Sequence, residues 1–205
     1  MNDFGNPLVW IDLEMTGLNP DIDKILELAF VITDGQLNTI ETGHMVVHQN
    51  HKVLSNMNEW STVQHNLKNR EGGTMSLVDL CKDSKTTTEA AENYLCNIMD
   101  KYRKYDEKLV LAGSSVWCDK AFLLKYMPKL DKRVHHQIVD VSCIKQIAAR
   151  WFPFLIAPPK KNNHKAVDDI FESIALLNFY KNTIFIAPGT PYKQMNLSLR
   201  SVTDR

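Results

Sequence analysis

Residues 8–18 read LVWIDLEMTGL, an apolar run that ends in two carboxylates, Asp12 and Glu14, one residue apart. Side chains alternate faces along a strand, so Asp12 and Glu14 point one way while Ile11 and Leu13 point the other. Two carboxylates side by side repel, and they are costly to desolvate unless something positive lies between them. A divalent metal answers that need, and ligands made only of oxygen suit Mg²⁺ or Mn²⁺. The alternative is a solvated strand edge with two surface acids. Val9, Trp10 and Ile11 just before the acids favour a buried strand.

Working outward, a turn at Asn19-Pro20-Asp21 leads to a β-prone run at 24–33, KILELAFVIT. Asp34-Gly35 is a hairpin signal, and a third strand is expected over 39–48. The three form an antiparallel meander. A helix is expected over 54–69, broken at 70–73, and another from Thr86-Thr87-Thr88-Glu89 to about residue 105. Beyond them, short strands at 109–112 and 138–141 alternate with helices over 119–127 and from about 144. Pro128 ends the first of these helices. A loop at 158–163 precedes a last helix from about 166 to 184. Strands first as a meander, then strand alternating with helix, predict a mixed sheet flanked by helices in one α/β domain over residues 1–186. An irregular tail is expected over 187–205.

With 205 residues and 44 % hydrophobic composition, the chain can bury one sizeable core. Lys plus Arg number 24 and Asp plus Glu number 24, giving zero net charge. That argues against tracking along long nucleic acid by charge alone, but not against a short nucleic acid met at a metal site. The four cysteines, Cys81, Cys96, Cys118 and Cys143, form no CxxC pair and read as reduced thiols of an intracellular protein. No apolar run is long enough to span a membrane. Seven residues before the first strand are too few for a signal or transit peptide, so the cytoplasm is expected, or mitochondria if a longer precursor is trimmed.

Two further acids stand out. Asp119 sits at a helix start after a buried strand and a Gly113-Ser114-Ser115 turn, where a plain helix-dipole role is the alternative. His164-Lys165-Ala166-Val167-Asp168-Asp169 lies at a loop-to-helix junction. Adjacent Asp168 and Asp169 lie about 100° apart on a helix and cannot both aim at one point. Asp169 would hold a metal while His164 reaches a water bound to it.

These pieces resemble the DEDD-type 3′→5′ exonucleases, in the variant whose fifth residue is the His of HxAxxD. LVWIDLEMTGL, the ITD at Ile32, Met57-x-x-Trp60, KYMP from Lys125, DVS from Asp140 and DDIxES from Asp168 are similar to the oligoribonuclease family in particular. The resemblance runs over about residues 8–185. It implies an RNase H-like fold with a five-stranded mixed sheet. It implies a homodimer that degrades very short RNA, from dinucleotides to about pentamers, to nucleoside 5′-monophosphates. Asp12, Glu14, Asp119 and Asp169 would hold two ions, Mg²⁺ or Mn²⁺, and His164 would be the general base. Leu18 would wedge against the terminal bases, Trp60 would support the other base, and His65 would make a nearby polar contact. Without the resemblance, core packing is the simpler reading of Leu18 and Trp60.

The same resemblance places Ser115 and Ser142 in a pocket for the 5′ phosphate, and His136 where the family has a Tyr that reaches in from the partner subunit. The chain departs from the family at Ser114, in a longer loop around 69–74, at His136-Gln137 where Tyr-Arg is usual, and at Cys143. Gln137 removes a cation from the phosphate pocket, and Arg133 is a nearby substitute. The rival readings are an exonuclease that trims longer RNA or DNA 3′ ends, and an inactive relative that only binds nucleic acid. Loss of any one of the five active-site residues would have favoured the second, and all five are present.

Overall fold

The apolar run at the start of the chain becomes β1, Leu8–Met15, the middle strand of a five-stranded sheet. The structure is a computed structural model that describes residues 5–67, 74–104, 106–159 and 166–185. β2, Ile25–Thr33, and β3, Thr39–Val46, continue antiparallel on one side of β1. β4, Leu109–Gly113, and β5, Val134–Asp140, run parallel to it on the other. The strand order is β3-β2-β1-β4-β5, the mixed sheet that the pattern predicted.

Among the described residues, eight helices accompany the sheet: α1 His51–Ser55, α2 Glu59–His65, α3 Leu77–Asp83, α4 Thr88–Tyr102, α5 Val116–Tyr126, α6 Pro128–Asp131, α7 Val141–Trp151 and α8 Ala166–Thr183. The period of two in β1 divides the interior. Val9, Ile11 and Leu13 join Leu28, Phe30 and Ile32 of β2 under α4 and α5. Trp10 faces the opposite way, with Ala29 and Val31, under Ala166, Ile170 and Ile174 of α8 and Val141 of α7. Those three α8 residues recur every fourth position, which puts them on one helix face. Trp10 Nε1–H, buried in this layer, donates to Thr33 Oγ1 at 3.0 Å. Asp12 and Glu14 share the Trp10 face, so the acids form the open end of the second layer.

A bulge bends the sheet beside them. Glu14 pairs with Glu27 but Met15 pairs with Ile25, leaving Leu26 as the extra residue. The shift reverses the alternation, and Leu26 packs into a third cluster with Leu54, Met57, Leu77 and Val78.

Several boundaries differ from the sequence reading. The helix expected over 54–69 is two short helices, because Asn50 and Asn58 each cap a new start, accepting from Val53 N and Ser61 N. α3 was not anticipated; its capping box, Ser76 with Asp79, defines it. α5 begins three residues before Asp119, and Ser115 takes a left-handed conformation at its cap (φ 56°). Pro128 ends α5 but also starts α6, where its missing N–H costs nothing. β3 stops at Val46 instead of reaching 48. β5 starts at Val134 instead of 138, since its polar His135-His136-Gln137 run hides an edge strand from hydrophobic patterning. α4 ends at Tyr102 and α7 starts directly at Val141. The break at 70–73 and the tail from 187 lie outside the described residues.

Gly113 closes β4 beside β1. A Cβ there would lie 2.9 Å from the Ile11 carbonyl oxygen, a backbone atom that cannot step aside. Gly113→Ala should therefore destabilise the fold by about 1–3 kcal/mol, the usual cost of overpacking. Urea unfolding followed by circular dichroism measures this, and an unchanged midpoint would contradict the close approach.

Candidate active site

The β1–β4 ladder ends at Trp10 and Ala112, so β1 runs on past its parallel neighbour. Beyond that point the Leu13 N–H donates to Asp119 Oδ1 at 2.9 Å. This bond brings α5 onto β1 and holds the Asp119 carboxylate, only 6 % exposed, beside the acids of the strand. α8 supplies the fourth carboxylate. Ala166 and Ile170 anchor its first turn in the core, and Asp169 sits between them. Ser173 Oγ donates to the Asp169 carbonyl at 2.9 Å and lies 2.8 Å from Ser114 Oγ, tying α8 to the β4–α5 turn.

The electrostatics register the meeting. Burial pushes the Asp12 carboxyl well above the ordinary value, and the charges of Asp119, Glu14, Asp169 and Glu27 push it further. Asp119 is pushed up to about 7, first by burial, with Glu14 and Asp140 adding; the Leu13 N–H works in the opposite direction. Of the two adjacent acids on α8, it is Asp169 whose charge acts on Asp12. Among the described residues, no three His, Cys, Asp or Glu side chains close on one point with ligating geometry. The crowding is therefore one of charge. Asp12 and Asp119, made costly to ionise by burial and by the acids beside them, form with Glu14 and Asp169 a set of four oxygen donors that fits a hard divalent cation, which would relieve that repulsion. His164 lies outside the described residues.

The loop after β1 is braced. Asp23 accepts from Thr16 Oγ1 at 2.8 Å and from Asn19 N at 2.9 Å. Tyr126 Oη lies 2.8 Å from the Pro20 carbonyl and 2.7 Å from that of Asp23. Leu18 projects from this rigid loop at 75 % exposure, and Trp60 stands 63 % exposed on α2. Neither is a core residue. Five positions on, about 140° around the helix, His65 is 2 % exposed. A carbonyl only accepts, so His65 Nε2–H donates to the Met15 carbonyl at 3.0 Å, and Nδ1 lies 4.0 Å from Glu14 Oε2. His65 thus contacts Glu14 and the strand end from inside.

Ser115 and Ser142 do come together. Asp140 Oδ1 accepts both backbone N–H groups at 2.9 Å, and Ser115 Oγ donates to Ser142 Oγ at 3.1 Å. They line a shallow groove of about 480 Å³ with Trp117, Gln146, Ile147 and Arg150. His136 is not part of its lining; it is exposed on β5, its ring 4.1 Å from that of His135. Arg133 is engaged elsewhere, its Nε and Nη2 each 3.0 Å from an Asp100 oxygen. The cation that does line the groove, Arg150, was missed by the sequence reading, as was Asp140, whose cap holds both serines. The Asp-x-Ser of a helix start at Asp140 was the available signal for the second.

Comparison with known proteins bears on the family and the fold. The exonuclease (RNase T) family model matches residues 9–177. An oligoribonuclease of Arabidopsis thaliana is 45 % identical over 188 residues, 90 % of this chain and 81 % of that protein. One of Francisella tularensis subsp. novicida is 44 % identical over 86 % of this chain and 95 % of its own. A probable oligoribonuclease of Dictyostelium discoideum is 41 % identical over 90 % and 94 %. Among solved structures, a zinc-bound E. coli exonuclease I complex with single-stranded DNA superposes with a TM-score of 0.68 at 14 % identity. That match covers 87 % of this chain but only 41 % of the other, so it speaks to the fold alone. Sheet order, flanking helices and acid cluster define an exonuclease domain of the RNase H-like fold. Within that class, the chain belongs to the oligoribonuclease family.

The acid cluster makes stability depend on pH. A carboxyl pushed above its ordinary value binds its proton more tightly folded than unfolded, so the fold loses stability as the proton leaves. For Asp119 that window runs from the ordinary 3.8 to about 7. With chelator present, the melting temperature should fall as pH rises through this window. Asp12→Asn should flatten the slope and raise the melting temperature above pH 7, by about 2–4 °C per kcal/mol of repulsion relieved. Thermal melts from pH 4 to 8 measure both, and a flat wild-type profile would contradict the crowding.

Proposed function

We propose that the chain hydrolyses very short RNA, from dinucleotides to about pentamers, from the 3′ end to nucleoside 5′-monophosphates. It is a hydrolytic exoribonuclease of short RNA. The observation that carries the reading is the convergence of Asp119 and Asp169 on the Asp12–Glu14 strand end. Asp12, Glu14, Asp119 and Asp169 hold two divalent ions, Mg²⁺ or Mn²⁺. When bound, such ions neutralise the charge that develops on a scissile phosphodiester and make the attacking water more acidic.

The chain's own groups do the rest. His164 takes the proton of the attacking water, a task to which the imidazole side chain is suited at neutral pH. Leu18 wedges against one terminal base and Trp60 supports the other, while His65 steadies Glu14. Ser115 and Ser142 hydrogen-bond the 5′ phosphate. Gln137, where the family carries Arg, offers it only neutral hydrogen bonds, which are weaker than charged ones. His136 reaches the substrate of the partner subunit in a homodimer. Exposed Trp117 and Ile147, which line one groove, and Trp151, one turn beyond Ile147 on α7, support such an assembly. Among the described residues no helix is long and apolar enough to cross a membrane, and the proposed compartment is the cytoplasm.

Digestion of end-labelled RNA of two to twenty nucleotides tests the central reading. Mg²⁺ or Mn²⁺ should give monophosphates from the shortest substrates fastest, and excess chelator should stop the reaction. Ala at Asp12, Glu14, Asp119 or Asp169 should remove nearly all turnover while circular dichroism stays unchanged. Substantial turnover by Asp12→Ala, or full activity in chelator, would sink the two-ion reading.

Base stacking on an aromatic is worth about 1–3 kcal/mol. Trp60→Ala should therefore weaken dinucleotide binding by about one to two orders of magnitude. An unchanged affinity would remove Trp60 from the substrate site.

A further inference from the structure

A fifth carboxylate belongs to the face that carries the acids. Glu27 of β2 lies directly opposite Glu14 of β1, and Ala29 lies opposite Asp12. Opposed residues in an antiparallel pair point to the same face, and like charges there destabilise the pair. Glu27 is nonetheless only 5 % exposed. Its carboxylate is engaged by the imidazole of His44 on β3, whose own cross-strand neighbour is Ala29. The imidazole is partly open to solvent, so the pair runs from the edge of the acid cluster outward to the surface. The bulge at Leu26 immediately precedes Glu27 and fixes its direction.

A buried acid opposite another acid is not needed for packing; a neutral residue of that length would fill the space without repulsion. What it adds is negative charge beside Asp12, on whose carboxyl it acts.

We infer that Glu27 is a positioning residue that strengthens the hold of the Asp12–Glu14 site on divalent cations by its charge, without ligating them, and that His44 keeps it in place and sets how much of that charge is felt. The inference rests on the metal-site reading above. It implies that tuning of metal affinity extends across two strands beyond the ligands. A surface position on β3 then offers a handle on the site.

Direct Mn²⁺ titration at pH 8, by calorimetry or by the paramagnetic resonance of free Mn²⁺, reads this without any turnover. Glu27→Gln keeps the length and a hydrogen bond to His44 but loses the charge. Glu27→Asp keeps the charge and loses the fit. Affinity should fall about three- to tenfold in Glu27→Gln and stay near wild type in Glu27→Asp, the scale of one charge acting through partly screened space. His44→Lys, at a partly exposed position on β3, puts a full positive charge on Glu27 and should lower affinity to a similar degree even if Glu27→Gln does not fold. Wild-type affinity in both Glu27→Gln and His44→Lys, or a loss confined to Glu27→Asp, would overturn the inference while leaving the metal site standing. A wild type that binds no Mn²⁺ would take down both.

Discussion

A single hydrogen bond, from the Leu13 N–H to the Asp119 carboxylate at 2.9 Å, joins the two halves of this fold at the place where chemistry is expected. The Leu13 N–H is open to Asp119 because the β1–β4 ladder ends at Trp10 and Ala112, three residues before Leu13, and because Gly113 has no side chain beside the Ile11 carbonyl. The N–H left over on β1 needs a partner, and a buried donor without one is costly. Asp119 supplies it, and in doing so places a carboxylate where its own neighbours repel it. Helix α5 is thereby anchored by the same group that completes the acid cluster. Other anchors share this economy: Asp140 caps α7 and also seats Ser115, so the two groove serines are fixed by one carboxylate oxygen.

The cluster works against the stability of the chain that builds it. Burial and mutual repulsion raise Asp12 and Asp119, and no apolar contact is gained by ionising them. The rest of the sheet carries that load. β2 is buried along its whole length, and both faces of the sheet are covered by helices. A rigid frame of this kind keeps repelling groups in place until a cation relieves them. The same frame braces the Leu18 loop through Asp23 and Tyr126, so an exposed leucine is presented by a stiff support. Exposure at Leu18 and Trp60 is what separates them from the ordinary core residues that they resemble by type.

Within the sequence, local periodicity was legible and long-range recruitment was not. The alternation in LVWIDLEM dictates that Asp12 and Glu14 share a face with Trp10, and the motifs around Lys125, Asp140 and Asp168 suffice to place the chain in its family. The 3.6-residue period likewise finds α4, α5 and α8 to within a few residues. Patterning failed where polar residues take structural work: the asparagines that cap α1 and α2, and the His-His-Gln run that forms the edge strand β5. Those residues satisfy backbone groups and do not fill a core, so hydrophobicity carries no signal for them.

Tertiary structure alone decided which distant groups meet. Leu13 and Asp119 are 106 residues apart. Glu27 and His44 meet only because β2 and β3 pair side by side, and Glu27 faces Glu14 across β1 and β2 next to the bulge at Leu26. Arg150 lines the serine groove, while Arg133 is held by Asp100. The sequence determined the chemistry of each residue and its local direction, since both depend on bonds a few atoms away. Which charges face one another depends on how strands and helices pack, because Coulomb forces and desolvation act through space and follow no order along the chain.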